Sequence, residues 1–419
     1  MEHLLHDLKF QKKLTEIAEQ TGKSYERVIE AARGYLEELY TIHQPIANLI
    51  GAQGAQYILS RGYKKTIDIN PAEIKKITRL SRDHSIAFVM THKTYIDMFV
   101  LAVVLVRHGL PIPYTFAGIN MSFMGLGQFG RQTGVIFIRR SFRENLVYKA
   151  CLRHFIASLV DQKSHFMWAI EGTRSRTGKL VWPKMGILKY IKDAEADSSQ
   201  SVKYVPVSIV YDLIPDVKEM TQEGRGKQKK AESLGWFLNY INKLGDNFGK
   251  ISLRFGDPVD YSPEAMASEQ PATIHAPTAA IPRFALELVH QINQITPVTT
   301  TSLICIALLS KYSLSKRGIE SDLSDLMQLI ESYKPDALVD RGKPIGESVQ
   351  SALALLLRAK LIKQQGEALN AKYVINADNY LSTIYYANMA VHHLYHRAFI
   401  ELALVKVALL PPAARLTIF

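Results

Sequence analysis

The chain contains little cysteine. Only Cys151 and Cys305 occur among its 419 residues, and neither belongs to a CxxC pair. A disulfide framework and a zinc knuckle both need more cysteines at closer spacing, so neither is expected. Two unpaired thiols are typical of a protein that stays in a reducing compartment.

Long apolar runs are also missing. The longest uncharged apolar stretch near the motifs described below, Met98–Val106, has nine residues, and FIELALVKVALL is interrupted by Glu401 and Lys406. A helix needs ~20 apolar residues to cross a bilayer. The N-terminal MEHLLHDLKFQKKL is charged and lacks the apolar segment of a signal peptide. We therefore expect no signal peptide and no transmembrane helix, and any membrane contact should be peripheral, on the cytoplasmic side.

Acidic residues are in deficit. Lys and Arg number 51 against 39 Asp and Glu, which gives a formal net charge of +12. This excess favours an anionic partner: nucleic acid, a phosphorylated or CoA-bearing substrate, or an anionic membrane surface. Charge alone does not choose among them.

Two catalytic signatures are absent from the sequence, HExxH and GxSxG. The zinc protease and the α/β-hydrolase mechanisms are therefore not expected. His392 and His396 are four residues apart on a predicted helix. Two histidines without further ligands do not make a metal site, so no metal and no other cofactor is expected.

Hydrophobic patterns divide the chain into four regions. Apolar residues at helical spacing run through residues 1–60, and short β-branched or aromatic runs alternate with helical stretches through residues 61–261. Residues 262–283, rich in Pro, Ala, Ser and Thr, predict a linker. Residues 284–419 are predicted to be mostly helical, with a small strand or hairpin at KYVINADNY (372–380).

The alternation predicts an α/β fold: a central, mostly parallel sheet flanked by helices, with a helical N-terminal segment and a mostly helical C-terminal domain. The predicted strands are Ile86–Met90, Val135–Ile138, Phe166–Ile170, Val205–Tyr211 and Ile251–Phe255. The predicted helices between them are Tyr95–Arg107, Arg143–Val160, Lys184–Lys192 and about 229–244.

His92 and Asp97 follow the first predicted strand, five residues apart. On one continuous helix they would lie about 140° apart, so they meet only if His92 is in a loop and Asp97 in the first helical turn. The helix dipole favours an acid there, and that acid could hold the imidazole in one tautomer for proton transfer. A surface histidine beside a helix-capping aspartate would give the same spacing.

The strand in GVIFIRRSF delivers Arg139 and Arg140 to its carboxyl end. Ligands of α/β sheets bind beyond those ends, and guanidinium groups suit phosphate. Adjacent strand residues point to opposite faces, so one of the two arginines is expected to face a site. A salt-bridged strand end is the alternative interpretation.

The stretch EGTRSRTGK (171–179) resembles a Walker A loop but fails its spacing. Five residues separate Gly172 from Gly178-Lys179, where four are required, and Leu180 stands where the magnesium-binding hydroxyl belongs. Six basic residues and no acid lie between Gly172 and Lys192, counting Lys192. An anion site without magnesium fits this composition better.

Each stretch is weak alone, but their order along the chain is specific. THKTYID, GVIFIRRSF, AIEGTRSRTGK and VPVSIVYD resemble the four ordered motifs of the glycerolipid acyltransferases. The forms IRRSF and EGTRSRTGK are closest to the glycerol-3-phosphate and dihydroxyacetone-phosphate branch. The resemblance covers about residues 35 to 405, although the chain is much shorter than the family's large bacterial membrane-bound enzyme.

The resemblance implies a direct acyl transfer without an acyl-enzyme. His92 would be the general base and Asp97 its partner. The base would deprotonate the 1-hydroxyl of glycerol 3-phosphate, whose oxygen would attack the thioester of acyl-CoA or acyl-carrier protein. The family usually has serine at the position of Thr94, and this chain keeps the hydroxyl.

The resemblance also implies which residues bind substrates. Arg139 and Arg140 would hold the acceptor phosphate. The third motif would bind the acceptor through Glu171, Gly172, Arg174 and Ser175, supplemented by Arg176 and Lys179. Pro206 matches the fourth motif, on the acyl-donor side, although by itself it marks only a strand start, edge or bulge.

Other functions stay open at this point. Dihydroxyacetone phosphate or lysophosphatidate could replace glycerol 3-phosphate as the acceptor. The basic charge and a C-terminal hairpin among helices would also suit a nucleic-acid-binding protein, but no base-reading motif is present. The third alternative is an inactive lipid-binding scaffold, which the His92–Asp97 pair argues against. We expect glycerol 3-phosphate, the acyl donor and an anionic membrane surface as partners, and no nucleic acid.

Overall fold

The computed structural model describes residues 1–409 except 65, 120–121, 123–125, 140–141, 143, 229–233, 246, 262–279 and 368–369, with the backbone alone at 126, 234, 237, 238 and 243. Within these residues the strands are β1 Asp68–Ile69, β2 Ser85–Met90, β3 Tyr114–Gly118, β4 Val135–Ile138, β5 Phe166–Ala169, β6 Val202–Tyr211, β7 Ile251–Phe255, β8 Ser313–Ser315, β9 Ile362–Gln365 and β10 Lys372–Ile375.

Helices account for most of the remaining structure. They are α1 Glu2–Leu5, α2 Leu8–Thr21, α3 Tyr25–Leu39, α4 Pro45–Gly62, α5 Pro71–Asp83, α6 Asp97–Arg107, α7 Leu126–Gln132, α8 Leu146–Asp161, α9 Gly186–Asp197, α10 Val217–Glu223, α11 Leu234–Lys243, α12 Ala280–Gln294, α13 Thr300–Lys311, α14 Lys316–Tyr333, α15 Ile345–Arg358, α16 Tyr380–Asn388 and α17 Tyr395–Ala408.

Side-chain caps fix where several helices begin. Asp7 accepts a hydrogen bond from the backbone N–H of Phe10, and Asn145 accepts one from that of Tyr148. Asn70 caps α5, whose first residue is Pro71. Short polar side chains in these positions satisfy N–H groups that have no partner inside the helix.

The chain divides into two compact units. The first comprises residues 1–175, 180–209 and 228–295, and the second comprises 176–179, 210–227 and 296–419.

The first unit is built around a mostly parallel sheet. Its seven strands, as far as the chain is described, lie in the order β1-β7-β6-β2-β5-β3-β4. The pairings β1–β7, β2–β6, β2–β5, β3–β5 and β3–β4 are all parallel. Val89 of β2 stands opposite Trp168 of β5 and Pro206 of β6, so β2 is the central strand of three.

Both faces of β2 are covered, as expected for a parallel strand. Ala87 and Val89 belong to a core cluster that also contains residues of α1, α2, α3, α8, α9 and α12, and the alternate residues Ile86, Phe88 and Met90 are fully buried as well. The predicted helical N-terminal segment is confirmed, and it packs directly into this core.

The second unit is mostly helical, as predicted. It contains α10, α13–α17, short 3₁₀ turns at Pro335–Ala337, Ala377–Asn379 and Val391–Leu394, and an antiparallel sheet in the order β8-β10-β9. The segment KYVINADNY supplies the central strand of that sheet, β10.

Several elements differ from the predicted ones. Strands β1, β3, β8 and β9 were not predicted, and the turn Val391–Leu394 interrupts the C-terminal region that was predicted to be mostly helical. Helix α12 belongs to the first unit, so the division falls after residue 295 instead of at 284. The reason is packing: Phe284 lies edge-on to Tyr204, with ring centroids 5.0 Å apart. Most of the predicted linker, residues 262–279, lies outside the described residues.

The two cysteines are completely buried, Cys151 in the first unit and Cys305 in the second. Burial raises the pKa of the Cys151 thiol to about 12 and raises that of Cys305 as well. Across the described part of the chain, no helix is long and apolar enough to cross a membrane.

Candidate active site

Two of the predicted motifs, those of His92 and Glu171, meet at the carboxyl edge of the central strands. The loop after β2 carries His92, and the neighbouring strand β5 ends just before Glu171. Parallel neighbours end at the same edge of a sheet, so the two loops lie side by side. This edge is the candidate site.

His92 and Asp97 form a hydrogen-bonded pair. The distance from His92 Nδ1 to Asp97 Oδ2 is 2.9 Å. Asp97 is the first residue of α6, and the same oxygen accepts hydrogen bonds from the backbone N–H groups of Lys93 (2.6 Å) and Thr94 (3.0 Å). The His92 side chain is 22% exposed and the Asp97 side chain only 1%. A buried carboxylate therefore orients a partly accessible imidazole.

Glu171 ties the two loops together. It is fully buried, and its carboxylate accepts hydrogen bonds from the backbone N–H of His92 (2.9 Å) and of Val181 (3.1 Å). The backbone N–H of Ser175 donates to the carbonyl of His92 at 2.7 Å. Burial raises the pKa of Glu171, and the bond from His92 opposes that shift. These contacts favour a role in positioning His92.

Lys93 was missed in the sequence analysis. It is 5% exposed, and its ammonium donates to the Thr91 hydroxyl at 3.1 Å. Burial lowers the pKa of Lys93, while the charges of Glu171 and Asp97 raise it. The sequence did contain one indication of this burial: Lys93 directly follows His92, so the loop that positions the histidine also places the lysine in the interior.

Arg174 lies against an aromatic cluster. Its guanidinium carbon is 3.9 Å from the centre of the Tyr95 ring, which in turn contacts Trp236 edge-on at 4.5 Å. The Tyr240 hydroxyl is 2.8 Å from that of Thr94. Trp236 and Tyr240 come from α11, a helix that carries no recognised motif, so sequence reasoning did not connect them with the site.

Arg139 is engaged by an acid that the sequence analysis did not consider. Its Nε is 2.8 Å from Glu38 Oε1 and its Nη2 is 2.5 Å from Glu38 Oε2, which raises its pKa. The guanidinium also lies over the rings of Tyr35 and Tyr148. Strand β4 is three strands from β2, about 14 Å at the usual strand spacing. Arg139 is thus not next to His92. Arg140 lies outside the described residues.

Gly172 and Pro206 shape the backbone near the site. Gly172 has φ +64°, and a Cβ there would lie 3.0 Å from Cγ of Lys184. Pro206 is buried within β6, not at an edge, and its carbonyl accepts from the N–H of Gly256 at 2.8 Å.

Arg176 and Lys179 belong to the second unit. There, the loop is held by Asn388, whose side-chain amide donates to the Thr177 carbonyl at 2.8 Å. Arg176 Nε is 3.7 Å from Glu223. The nine-residue motif is therefore divided between the units after Ser175.

Among the residues that the structure describes, no group of three His, Cys, Asp or Glu side chains could hold a metal ion. The chemistry available at the site is acid–base: an oriented imidazole, with buried carboxylates and an ammonium behind it.

Two family models match successive parts of the chain. Residues 72–210 match the family model described as Acyltransferase, and residues 220–417 match Glycerol-3-phosphate acyltransferase C-terminal region. The protein named "Putative acyltransferase plsB1" from Mycobacterium bovis, and those of the same name from two strains of Mycobacterium tuberculosis, are 31% identical over 95% of this chain. The chain spans 64% of the length of these relatives.

Among solved structures, the 1-acyl-sn-glycerophosphate (LPA) acyltransferase PlsC from Thermotoga maritima is similar with a TM-score of 0.34 and 17% identity. The match covers 67% of this chain and 92% of that chain. A likeness this weak carries no argument about activity.

Proposed function

Because the chain belongs to the glycerolipid acyltransferase family, we propose that it transfers an acyl group from acyl-CoA or acyl-carrier protein to the 1-hydroxyl of glycerol 3-phosphate. The product is lysophosphatidic acid, and the reaction opens phospholipid synthesis. The choice of this acceptor over dihydroxyacetone phosphate or lysophosphatidate is supported by the match of residues 220–417 to a glycerol-3-phosphate acyltransferase region. Family membership also favours acyl transfer over nucleic-acid binding.

The single observation that carries the mechanism is the 2.9 Å contact between His92 Nδ1 and Asp97. With Nδ1–H directed to the carboxylate, Nε2 is the basic nitrogen. It takes the proton of the acceptor hydroxyl as that oxygen bonds to the thioester carbonyl carbon. The tetrahedral adduct then expels the thiolate, which receives the proton from His92.

Asp97 assists this step without accepting the proton. Its carboxylate stabilises the imidazolium that forms in the transition state and prevents the ring from rotating. The two backbone N–H groups on the same oxygen fix the carboxylate in turn. Glu171 and Ser175 hold the backbone of His92 in register with the neighbouring loop.

We assign the anionic acceptor to the arginines. Arg174, stacked on Tyr95, is next to Ser175 and hence to the His92 loop. Arg139 would bind phosphate by exchanging it for the Glu38 carboxylate, since both anions offer two oxygens to the guanidinium. Gly172, Arg140, Arg176 and Lys179 remain predictions for the acceptor side, and Pro206 for the donor side.

The reaction needs no metal or other cofactor in this proposal, because the thioester supplies the driving force and His92 moves the proton. We also propose a peripheral association with the anionic, cytoplasmic face of a membrane. The net charge of +12 and the lipid product support it.

The test is acyl transfer by the purified protein from labelled acyl-CoA to each of the three acceptors in separate reactions. Wild type should acylate glycerol 3-phosphate most efficiently, and His92→Ala should lower kcat by at least about a hundredfold. His290→Ala, which removes an exposed histidine of the first unit, is the matched control. Wild type that transfers to none of the acceptors would refute the proposal, and a fully active His92→Ala would refute the base.

A further inference from the structure

Helix α4 has its hydrophobic pattern reversed. The residues that it buries are mostly small: Ala47, Ala55, Leu59 and Gly62. Four of its large apolar side chains point outward, with Ile46 75% exposed, Leu49 59%, Ile50 56% and Tyr57 59%. Their spacing places them on one side of the helix as a stripe, in which Gln53 and Gly54 separate Ile50 from Tyr57. A helix of a soluble domain normally buries such a stripe.

Packing fixes the stripe in its outward orientation. The inner side of α4 lies against α6 and α7. A Cβ added at Gly51 would already lie 3.5 Å from Thr133 Cγ2 and 3.6 Å from the Phe129 ring. A large side chain therefore finds little space at Gly51 on that side. The stripe is covered by nothing else among the described residues.

The charge around the stripe has one sign. Residues 41–67 contain no Asp or Glu, whereas Arg61 lies in the last turn of the helix and Lys64 follows two residues after its end. The Arg61 guanidinium lies 5.9 Å from the Tyr57 ring, and its Nη1 is 3.3 Å from the Tyr57 hydroxyl. An exposed apolar stripe with an aromatic residue and basic residues at its end is typical of a helix that lies in the interface of a bilayer.

We propose that α4 is the surface through which this protein docks on a membrane, with Ile46, Leu49, Ile50 and Tyr57 entering the interface and Arg61 and Lys64 contacting anionic headgroups. The inference rests on the proposed function only for the reason why docking would be useful: an enzyme that makes a lipid can release its product directly into the membrane. A second copy of the chain is a poorer occupant, because it would bring the same acid-free, basic surface and no opposite charge.

Docking through α4 would bring the bilayer close to the chemistry. Helix α4 packs against α6, and α6 begins with Asp97, the partner of the general base. One helix therefore separates the docked stripe from the pair that moves the proton. A lipid product formed there would need to travel only a short distance to reach the bilayer.

The experiment measures vesicle flotation in the absence of substrates, so its result does not depend on the proposed activity. The probes are vesicles of phosphatidylcholine alone and vesicles that also contain phosphatidylglycerol. Wild type should bind the anionic vesicles, more weakly as salt is raised. The triple variant Ile46→Ser, Leu49→Ser, Ile50→Ser should lower the partition coefficient at least about tenfold.

The matched control is Leu8→Ser, which removes a leucine that is 80% exposed on α2 of the same unit. It should bind like wild type. A second variant, Arg61→Glu with Lys64→Glu, keeps the stripe and should weaken binding to the anionic vesicles alone. Circular dichroism confirms folding, and acyl transfer from a short-chain, water-soluble acyl-CoA without vesicles should be unchanged in every variant.

Three results would overturn the proposal: wild type that binds neither vesicle, a triple variant that binds as tightly as wild type, or a Leu8→Ser variant that loses binding to the same extent. Sedimentation equilibrium covers the remaining occupant. If the triple variant turns a dimer into a monomer while vesicle binding is retained, the stripe belongs to a contact between copies.

Discussion

At the scale of the residue, Lys93 is the buried cation on which two buried carboxylates depend. Lys93→Met should lower the free energy of unfolding by about 2–4 kcal/mol, because Asp97 and Glu171 then lose their compensating charge. The pKa of Glu171, which burial already raises, should rise further. Activity should therefore begin to fall at a higher pH as the medium is acidified. Urea denaturation and a kcat–pH profile measure the two effects.

The control for this variant is Lys189→Met. Lys189 is 62% exposed and pairs with Asp193 four residues along α9. A surface pair of this kind contributes little to stability, so the change should be nearly neutral. Equal effects of the two substitutions would mean that the buried ammonium has no special role.

Arg139 gives a second prediction at this scale. If phosphate replaces Glu38 on the guanidinium, Arg139→Ala should raise the KM for the phosphorylated acceptor several-fold and leave kcat nearly unchanged. Glu38→Gln should lower that KM, because the competing charge is removed. Initial rates at varied glycerol 3-phosphate measure both. An acceptor KM that is the same in all three proteins would leave Arg139 with a structural role only.

The site residues show which facts a sequence contains. The His92–Asp97 contact followed from strand, loop and first helical turn, and the structure has it. The direction of the Glu171 side chain could not be predicted. A carboxylate in a motif gives the same sequence whether it binds a ligand or accepts a hydrogen bond from a backbone N–H. The Glu38–Arg139 pair joins residues 101 positions apart, and no local pattern predicts such a partner.

At the scale of the element, the second half of the EGTRSRTGK loop depends on one glycine. Gly178 has φ +83°, and a Cβ there would lie 2.0 Å from the carbonyl oxygen of Tyr385 in α16. Gly178→Ala must therefore displace the loop or the helix. It should lower the free energy of unfolding of the second unit by about 2 kcal/mol or more. Hydrogen exchange of the α16 amides measures it.

Gly226→Ala separates the cost of a positive φ from the cost of the close approach to Tyr385. Gly226 has φ +95° in the same unit, but a Cβ there meets nothing within 4 Å. This variant should show only the smaller cost of a left-handed alanine, about 1 kcal/mol. If Gly178→Ala destabilises no more than Gly226→Ala does, the close approach to Tyr385 is not a constraint.

Elements differ in how far the sequence announces them. The strands β2, β4, β5, β6 and β7 are apolar runs and were predicted. β1 has only two residues. β3, with the sequence YTFAG, contains threonine and glycine and follows two prolines, so neither strand forms a clear apolar run. The periodicity of α4 predicts a helix but not which side is buried, because that depends on the helices it meets.

At the scale of the whole molecule, buried histidines link stability to pH. Burial lowers the pKa of His165 from its ordinary 6.5 to about 4, and its Nδ1 accepts the backbone N–H of Ile86. The unfolded chain takes up a proton near pH 6.5 and the folded one only near 4. Stability is therefore fully present above pH 6.5 and falls by up to about 3 kcal/mol as pH approaches 4.

His165→Asn tests this link, because an amide oxygen can still accept from Ile86 but does not titrate. Between pH 6.5 and 4 the free energy of unfolding should fall less steeply with pH in the variant than in wild type. The difference in slope should correspond to the uptake of about one proton fewer on unfolding. His43 and His154, whose pKa values burial also lowers, keep part of the slope. Urea titrations followed by fluorescence suit the purpose, since Trp168, Trp182 and Trp236 all lie in the first unit. Identical slopes would contradict the assignment.

The overall architecture was accessible from the sequence, and its division was not. Alternating strands and helices predict a parallel sheet, and a strand-poor C-terminal region predicts a helical unit. Helix α12 has an amphipathic pattern that suits either unit, and Phe284 packs beside Tyr204 and Tyr261 in the first. Only tertiary contacts decide such a membership.

Because the two cysteines are buried, the rate at which each thiol reacts reports how often its own unit opens. Neither thiol can react with a maleimide or a disulfide reagent while its surroundings stay closed, because both are fully covered and protonated. The rate at which Cys151 is modified therefore counts openings of the first unit, and that of Cys305 counts openings of the second. A single time course of modification, followed by mass spectrometry on the unaltered chain, would compare the two rates. Equal rates would indicate that the units open together, and different rates that they open separately.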